Sequence, residues 1–236
     1  ANSMIRKTVF GFKMERTDEA LTAHGGLALM AEYNHKRGLT SLADCFLPAP
    51  GSNRGYAASV FVNSLVLMLQ GGGRSLEDLR ELKRERGLMC LAGTGLIPDP
   101  DSVGDWCRRM GSGTEQAGLV GLGHMRDVIN ERILKRDGIT EYTLDADATF
   151  VEAEKRDARM SYKGLPGYMP MLGFLFEPGL CLLDEFREGN ASPGARHVVF
   201  YQGCKQRIPS GKRIARYRAD SASWQADLIN TLEADS

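Results

Sequence analysis

The sequence has 236 residues, with 30 Lys plus Arg and 30 Asp plus Glu, so its net charge argues neither for nor against a polyanionic partner. Hydrophobic residues make up 42% and charged residues 25%, a balance that is typical of a folded globular protein and excludes a disordered or fibrous chain. A chain of this length holds one large domain or two small ones, and we expect two.

Cysteine spacing and hydropathy indicate where the protein resides. Five scattered cysteines include no paired CxxC spacing, so they offer no zinc site and are expected to be reduced, mostly buried thiols. The longest apolar stretch, residues 57–69, is shorter than the roughly 20 residues that span a bilayer, and no charged-then-apolar leader opens the chain. The sequence therefore predicts a cytoplasmic protein without a membrane partner.

Helical periodicity dominates the first half of the chain. Helices are predicted over residues 20–36, 56–70, 75–86 and 102–110. Gly38 and the triplet Gly71-Gly72-Gly73 are predicted to end the first two helices, because glycine accepts the left-handed cap geometry. Ser75 with Asp78 predicts a capping box at the start of the third helix, and Ser102 is predicted to cap the fourth.

A glycine-rich linker marks the predicted domain boundary. Gly111-Ser112-Gly113-Thr114 follows the helices, and a further amphipathic helix is predicted over residues 119–135. We expect an all-α region over residues 1–112, with a DNA-binding or oligomerising role, and a second domain over residues 113–236. Residues 8–15, ahead of the helices, are compatible with an extended arm, but the pattern is too short for an assignment.

The second half of the chain is predicted to form a mixed sheet. From Tyr142 the apolar period changes from near four to two, which marks a switch from helix to strand and places Asp145 and Asp147 on one polar face. Further strands are predicted over residues 168–176, 180–186 and 213–219, with helices over residues 195–206 and from Ser221 or Ser223. Because a helix precedes the last strand, parallel pairing beside the first strand is the simplest topology. Three antiparallel strands and a parallel fourth, in an α/β domain, follow the opening order of an RNase H-like fold.

Two aspartates lie on the strands that this topology makes neighbours. Asp147 lies on the polar face of the first strand and Asp220 ends the fourth, so their carboxylates are expected to come together. Adjacent carboxylates repel each other and bind hard divalent ions such as Mg²⁺ or Mn²⁺. Two such ions about 4 Å apart promote phosphodiester cleavage. A third acid normally completes the ligand set. Without further motifs, however, an arbitrary pair of aspartates is usually two ordinary surface acids.

Four short blocks follow one another in the second half of the chain. They are LDADAT at residues 144–149, GYMPML at 167–172, REGN at 187–190 and RADS at 218–221. In order and spacing they resemble the first-aspartate motif, the second strand, the end of the third strand and the second-aspartate motif of DDE-type bacterial insertion-sequence transposases. Residues 72–79 and 98–109 resemble the N-terminal region of the same family, so the resemblance spans most of the chain.

The resemblance implies an RNase H-like catalytic domain in which Asp147 and Asp220 are the catalytic metal ligands for two Mg²⁺ or Mn²⁺ ions. It implies cleavage of DNA at transposon ends and joining of the freed 3′-hydroxyls to target DNA. The implied partners are terminal inverted repeats and target DNA, near the nucleoid of a bacterial cytoplasm, and a homodimer is a further expectation. Asp145 competes for the first-ligand role, but the Asp-x-Thr match falls on Asp147.

The family's third acid has no counterpart in the sequence. The family continues beyond its second aspartate to a catalytic glutamate on a later helix, and Glu233 is too close to Asp220 to take that role. The sequence is therefore expected to be the N-terminal portion of such an enzyme, incomplete at its C-terminus and inactive alone. Two alternatives stay open: a non-catalytic DNA-binding or oligomerisation module, and another RNase H-like nuclease.

Basic residues cluster between residues 194 and 219, a segment without any acid. Such a run either neutralises DNA phosphates or forms a solvated face, and the two interpretations are about equally supported. The residues predicted to contact DNA are Arg187, Asn190, Lys205, Arg207, Lys212, Arg213, Arg216 and Arg218. The four histidines are isolated in the sequence, so packing roles are expected for them rather than metal binding.

Overall fold

The chain divides into two compact units, Ala1–Leu122 and Gly123–Ser236, called below the helical unit and the strand unit. The computed structural model describes residues 16–51, 54–92 and 96–235. The arm considered at residues 8–15 lies outside the described residues.

The helical unit follows the predicted helices, with additions. Its helices are α1 (Gly25–Lys36), α2 (Leu39–Phe46), α3 (Ala58–Gln70), α4 (Leu79–Arg84), α5 (Arg86–Ala92) and α6 (Pro100–Met110), followed by α7 (Ala117–Leu134), which runs on into the strand unit. Helices α2 and α5 were not predicted. No described helix has both the length and the apolar character that a bilayer crossing requires.

Local cap chemistry explains where these helices begin and end. Gly38 has φ of 80°, as expected for the residue that ends α1, and α2 begins directly after it. The capping box of Ser75 and Asp78 is confirmed, but it opens a single 3₁₀ turn ahead of α4. The prediction that Ser102 caps α6 was wrong: the helix begins at Pro100, whose fixed φ and missing N–H suit the first helical position.

The strand unit contains a four-stranded mixed sheet and a small three-stranded sheet. Its elements are β1 (Glu141–Ala148), β2 (Val151–Glu152), β3 (Arg159–Met160), β4 (Pro166–Tyr168), β5 (Met171–Leu175), β6 (Leu180–Glu185), α8 (His197–Lys205), β7 (Arg213–Ala219) and α9 (Ala226–Ala234). The larger sheet has the order β6-β5-β1-β7, in which only β1 and β7 are parallel. The predicted mixed α/β arrangement, with a parallel fourth strand beside the first, is therefore confirmed.

The predicted second strand is shorter than expected. It breaks at Pro170, which has no N–H to donate to a neighbouring strand. As a result Tyr168 belongs to β4, the central strand of the small β2-β4-β3 sheet, which was not predicted.

Alternation along β1 separates a core face from an open face. Tyr142, Leu144 and Ala146 are buried in one apolar cluster with residues of β5, β6, α8 and α9. Gly173 of β5 shows how closely α8 lies against the sheet, because a Cβ there would lie 3.0 Å from Sγ of Cys204. The opposite face of β1 carries Asp145 and Asp147, which are partly and largely exposed.

A polar cluster anchors the start of both β1 and β7. Lys212 donates to Oδ1 of Asp137 at 2.6 Å, and the Tyr142 hydroxyl donates to Oδ2 of Asp137 at 2.8 Å. The Lys212 and Asp137 side chains are only 13% and 12% exposed. Burial opposes the charge of Asp137, but hydrogen bonds from Lys212, Tyr142 and the Ile139 N–H outweigh it and lower the pKa of the carboxyl.

We predict that Asp137→Asn destabilises the strand unit in a pH-dependent way. Folding lowers the pKa of this carboxyl below its ordinary value of 3.8, so its charge stabilises the fold at pH values above 3.8. This stabilisation is lost as the pH falls through the folded-state pKa. At pH 6, hydrogen exchange of the β1 amides in the full chain should be roughly tenfold faster in the variant than in wild type.

The difference between the two proteins should shrink towards pH 3. Glu131→Gln is the matched control, because it removes a carboxylate from an exposed pair with Lys135 that contributes little. A difference between wild type and Asp137→Asn that is constant from pH 6 to pH 3 would show that the charge of Asp137 is not the source of the stabilisation.

Candidate metal site

The register of β1 and β7 determines which side chains meet at the carboxyl ends of the two strands. Asp145 is opposite Arg218 and Ala146 is opposite Ala219. Asp220 has an extended backbone, with φ of −73° and ψ of 178°, so the alternation of β7 continues through it. Asp147 and Asp220 therefore occupy neighbouring positions on the same face of the sheet, on strands about 4.8 Å apart.

A register shift in β7 creates this alignment. At the start of the strands Glu141 is opposite Arg213, and continuing that register unbroken would place Ala219 opposite Asp147. The register shifts between Tyr142 and Thr143, where β7 contains one extra residue, and from there on each β1 residue meets the next residue of β7. Such bulges commonly redirect side chains next to functional sites.

Each of the two aspartates has a local hydrogen bond that orients it. Oδ2 of Asp147 accepts a hydrogen bond of 2.8 Å from the Thr149 hydroxyl, the threonine of the Asp-x-Thr motif. Oδ1 of Asp220 accepts from the Ala222 N–H at 3.1 Å, so that Asp220 caps the 3₁₀ turn Ser221–Ser223. Both carboxylates are exposed.

Asp145, the competing candidate for the first ligand, is paired with a cation. Arg218 donates to both of its oxygens, with the Nη2 bond at 2.6 Å, and the guanidinium stacks at 4.4 Å over the Phe176 ring. The hydrogen bond to Asp145 raises the pKa of the Arg218 guanidinium. Both oxygens of Asp145 are thus engaged by Arg218, whereas the hydrogen-bond partner of Asp147 is a neutral hydroxyl.

The side chains present fit a hard divalent cation only in part. Carboxylate oxygens are the donors that Mg²⁺ and Mn²⁺ prefer. Across residues 16–51, 54–92 and 96–235, however, no three acidic, histidine or cysteine side chains cluster in a way that could hold a metal ion. Asp147 and Asp220 are thus two carboxylates without a third acidic, histidine or cysteine side chain clustered beside them in the described part of the chain.

The predicted basic run is paired with acids from other elements. The pairs are Arg196–Glu185, Lys205–Asp235, Arg207–Asp127, Lys212–Asp137, Arg213–Glu141, Arg216–Glu177 and Arg218–Asp145. The run contains no acid itself, but β7 lies beside β1, which supplies two of the acids, and the rest come from α7 and the neighbouring turns and strands. The basic side chains of the run are therefore matched by acids in the fold, although the sequence segment itself has none.

Arg187, also predicted to contact DNA, is buried. Its side chain donates from Nε to the Met169 carbonyl at 2.9 Å and from Nη1 to the Ala195 carbonyl at 3.1 Å, while Nη2 is buried without a hydrogen-bond partner. Burial lowers the pKa of its guanidinium. Arg187 therefore ties backbone segments together and does not present its charge at the surface, unlike the exposed Asn190.

Two residues near the site were not singled out by sequence reasoning. Glu177 accepts hydrogen bonds from the Thr143 N–H at 2.8 Å and from the Thr143 hydroxyl at 2.7 Å, although its sequence context indicated only a turn. His197 is 2% exposed and bonded to polar groups on three segments. Its position among the apolar residues of α8 predicts that the ring is buried, but it does not predict which groups the ring bonds to.

We predict that these ion pairs restrain nonspecific DNA binding. Glu141→Gln/Asp235→Asn releases Arg213 and Lys205 while leaving the aspartate pair intact. The affinity of this variant for a random-sequence duplex, measured by fluorescence anisotropy, should be higher than that of wild type. The slope of log affinity against log salt concentration should become steeper by up to about 2, one for each released cation.

The control for this measurement is Glu32→Gln/Glu131→Gln, which removes the same charge far from the basic run along the chain. Equal salt dependence in all three proteins would mean that ion pairing does not hold these cations back from phosphates.

Comparisons with protein-family models, with curated proteins and with solved structures find no match to this chain.

Proposed function

We propose that this chain carries the opening part of the RNase H-like catalytic domain of a DDE-type transposase, with Asp147 and Asp220 as its metal ligands. The observation that carries the proposal is the parallel register of β1 and β7, which puts these two aspartates at neighbouring positions on one face. The sheet order β6-β5-β1-β7 is also the order that an RNase H-like domain begins with.

The local contacts support Asp147 rather than Asp145 as the first ligand. Asp145 lies in a bidentate pair with Arg218, and a cation at this carboxylate opposes the approach of a metal ion. Asp147 is instead oriented by the Thr149 hydroxyl, which is a neutral donor. The Asp-x-Thr spacing places the Thr149 hydroxyl where it can donate this hydrogen bond to Asp147.

The chemistry that the pair would serve is phosphodiester cleavage and strand transfer. Bound Mg²⁺ or Mn²⁺ would supply an activated hydroxyl and stabilise the leaving oxygen. The residues themselves bind and orient: Asp147 and Asp220 present carboxylate oxygens, and Thr149 and the Ala222 N–H fix their directions. Terminal inverted repeats, target DNA, a homodimer and residence near the bacterial nucleoid belong to the same proposal.

A second candidate is a DNA-binding module without catalysis. The observation in its favour is that, in the described part of the chain, the two aspartates have no third ligand beside them. Such a module would bind transposon-end duplexes above scrambled duplexes in the presence of a chelator, without any requirement for Mn²⁺. Another RNase H-like nuclease would show no preference for transposon ends.

We predict that Mn²⁺ broadens the amide resonances around Asp147 and Asp220 selectively in ¹H–¹⁵N spectra of the full chain. Asp147→Asn or Asp220→Asn should weaken this binding by about tenfold or more, because each removes one of the two ligands. Excess Mg²⁺ should restore the resonances of wild type by competition.

Two further variants make the Mn²⁺ measurement specific. Asp184→Asn removes an exposed acid of β6 and should leave the broadening unchanged. Asp145→Asn should also preserve it, because that carboxylate is engaged by Arg218. If Asp145→Asn abolishes the broadening and Asp147→Asn does not, the ligand is Asp145. Uniform broadening in wild type would remove the metal site altogether.

A further inference from the structure

A buried imidazole lies directly behind the Asp220 turn, on the core side of the sheet. His197 is the first residue of α8 and is 2% exposed. Its Nδ1 lies 3.0 Å from the Tyr217 hydroxyl, and its Nε2 lies 3.0 Å from the Pro193 carbonyl oxygen. The Ser223 hydroxyl lies 3.2 Å from Nδ1. One ring therefore contacts three separate segments.

The partners of the ring determine its protonation. A carbonyl oxygen only accepts, so Nε2 carries the hydrogen that is donated to Pro193. In the neutral ring Nδ1 is then the acceptor, and the Tyr217 hydroxyl donates to it. The Ser223 hydroxyl lies within hydrogen-bond distance of both ring nitrogens, at 3.2 Å from Nδ1 and 3.3 Å from Nε2, and can donate or accept.

Two of these contacts flank Asp220 in the sequence. Tyr217 is on β7, three residues before Asp220, and Ser223 ends the 3₁₀ turn, three residues after it. The turn is closed by the Ser223 N–H, which donates to the Asp220 carbonyl at 3.1 Å. His197 thus joins the strand that leads into Asp220 to the turn that leads out of it.

A second set of contacts presses the 193–194 segment onto the same turn. Gln225 donates from Nε2 to the Gly194 carbonyl and, at 3.0 Å, to the Ala222 carbonyl. A Cβ at Gly194 would lie 2.7 Å from the Ala222 oxygen, so the two backbones approach more closely than a side chain permits. Arg196, just before His197, has φ of 65°, a strained value that the surrounding contacts must maintain.

We propose that His197 is a positioning residue that holds Asp220 in line with Asp147. This inference rests on the proposed function for its meaning, since it concerns one of the two proposed metal ligands. His197 itself is buried on the core side of the sheet. It acts through Tyr217 and Ser223, which fix the backbone on both sides of Asp220.

Hydrogen exchange of the full chain tests the positioning role without reference to metal. His197→Phe keeps an aromatic ring but removes the polar contacts to Tyr217, Pro193 and Ser223. The Ser223 amide should exchange at least about fivefold faster in this variant relative to the amides of β5. His197→Gln retains a donor for the Pro193 carbonyl and should restore much of the protection. Tyr217→Phe, which removes only the hydroxyl, should fall between the two.

Mn²⁺ broadening of amide resonances in the same variants tests whether order in the Asp220 turn affects metal binding by Asp220. His197→Phe should reduce the selective broadening at Asp147 and Asp220, and His197→Gln should recover it. A ring ¹⁵N spectrum of wild type should show Nε2 protonated and Nδ1 unprotonated.

The two proposals fail in different ways. An equal loss of protection throughout the strand unit, or identical behaviour of the Phe and Gln variants, would reduce His197 to an ordinary core residue. Absence of selective broadening in wild type would overturn the metal site, while the exchange data would still decide whether His197 orders the Asp220 turn.

Discussion

The parallel pairing of β1 with β7 is the contact on which the candidate site depends. The strands are far apart in the sequence, so their association must offset the entropy of closing a long loop. Apolar burial on the core face supplies this stabilisation. There Leu144 is fully buried and Tyr217 packs edge-on against Tyr201. On the polar face Arg218 is opposite Asp145 and bonds to it, but an exposed ion pair of this kind contributes little to stability.

The two ends of this pairing are held by different chemistry. At its start, Lys212 and Asp137 form a nearly buried ion pair with the Tyr142 hydroxyl. At its end, the His197 ring contacts the Tyr217 and Ser223 hydroxyls and the Pro193 carbonyl oxygen. The start of the pairing is therefore held by an ion pair, and its end by hydrogen bonds that link the strand to the following turn.

Much of the fold could be predicted from the sequence because the signals were local. Period-two alternation from Tyr142 and the interposed helix α8 were enough to predict a parallel fourth strand, and Ser75 with Asp78 predicted a cap. The acid partners of the basic run were not predictable, since which acids face Arg213 and Arg218 depends on strand register. A slip of one residue exchanges the two faces of a strand, and composition does not reveal it.

The bulge in β7 explains why the alignment of Asp147 with Asp220 could not be predicted from the sequence with certainty. The strand order alone brings the ends of β1 and β7 together, but it does not determine which residues are opposite one another. In the unshifted register Ala219 would be opposite Asp147, and Asp220 would be opposite Ala148. One extra residue after Ile214 moves every later partner by one, which brings Asp220 level with Asp147 and pairs Arg218 with Asp145. The same displacement therefore pairs Asp145 with an arginine and brings together the two aspartates that we propose as metal ligands.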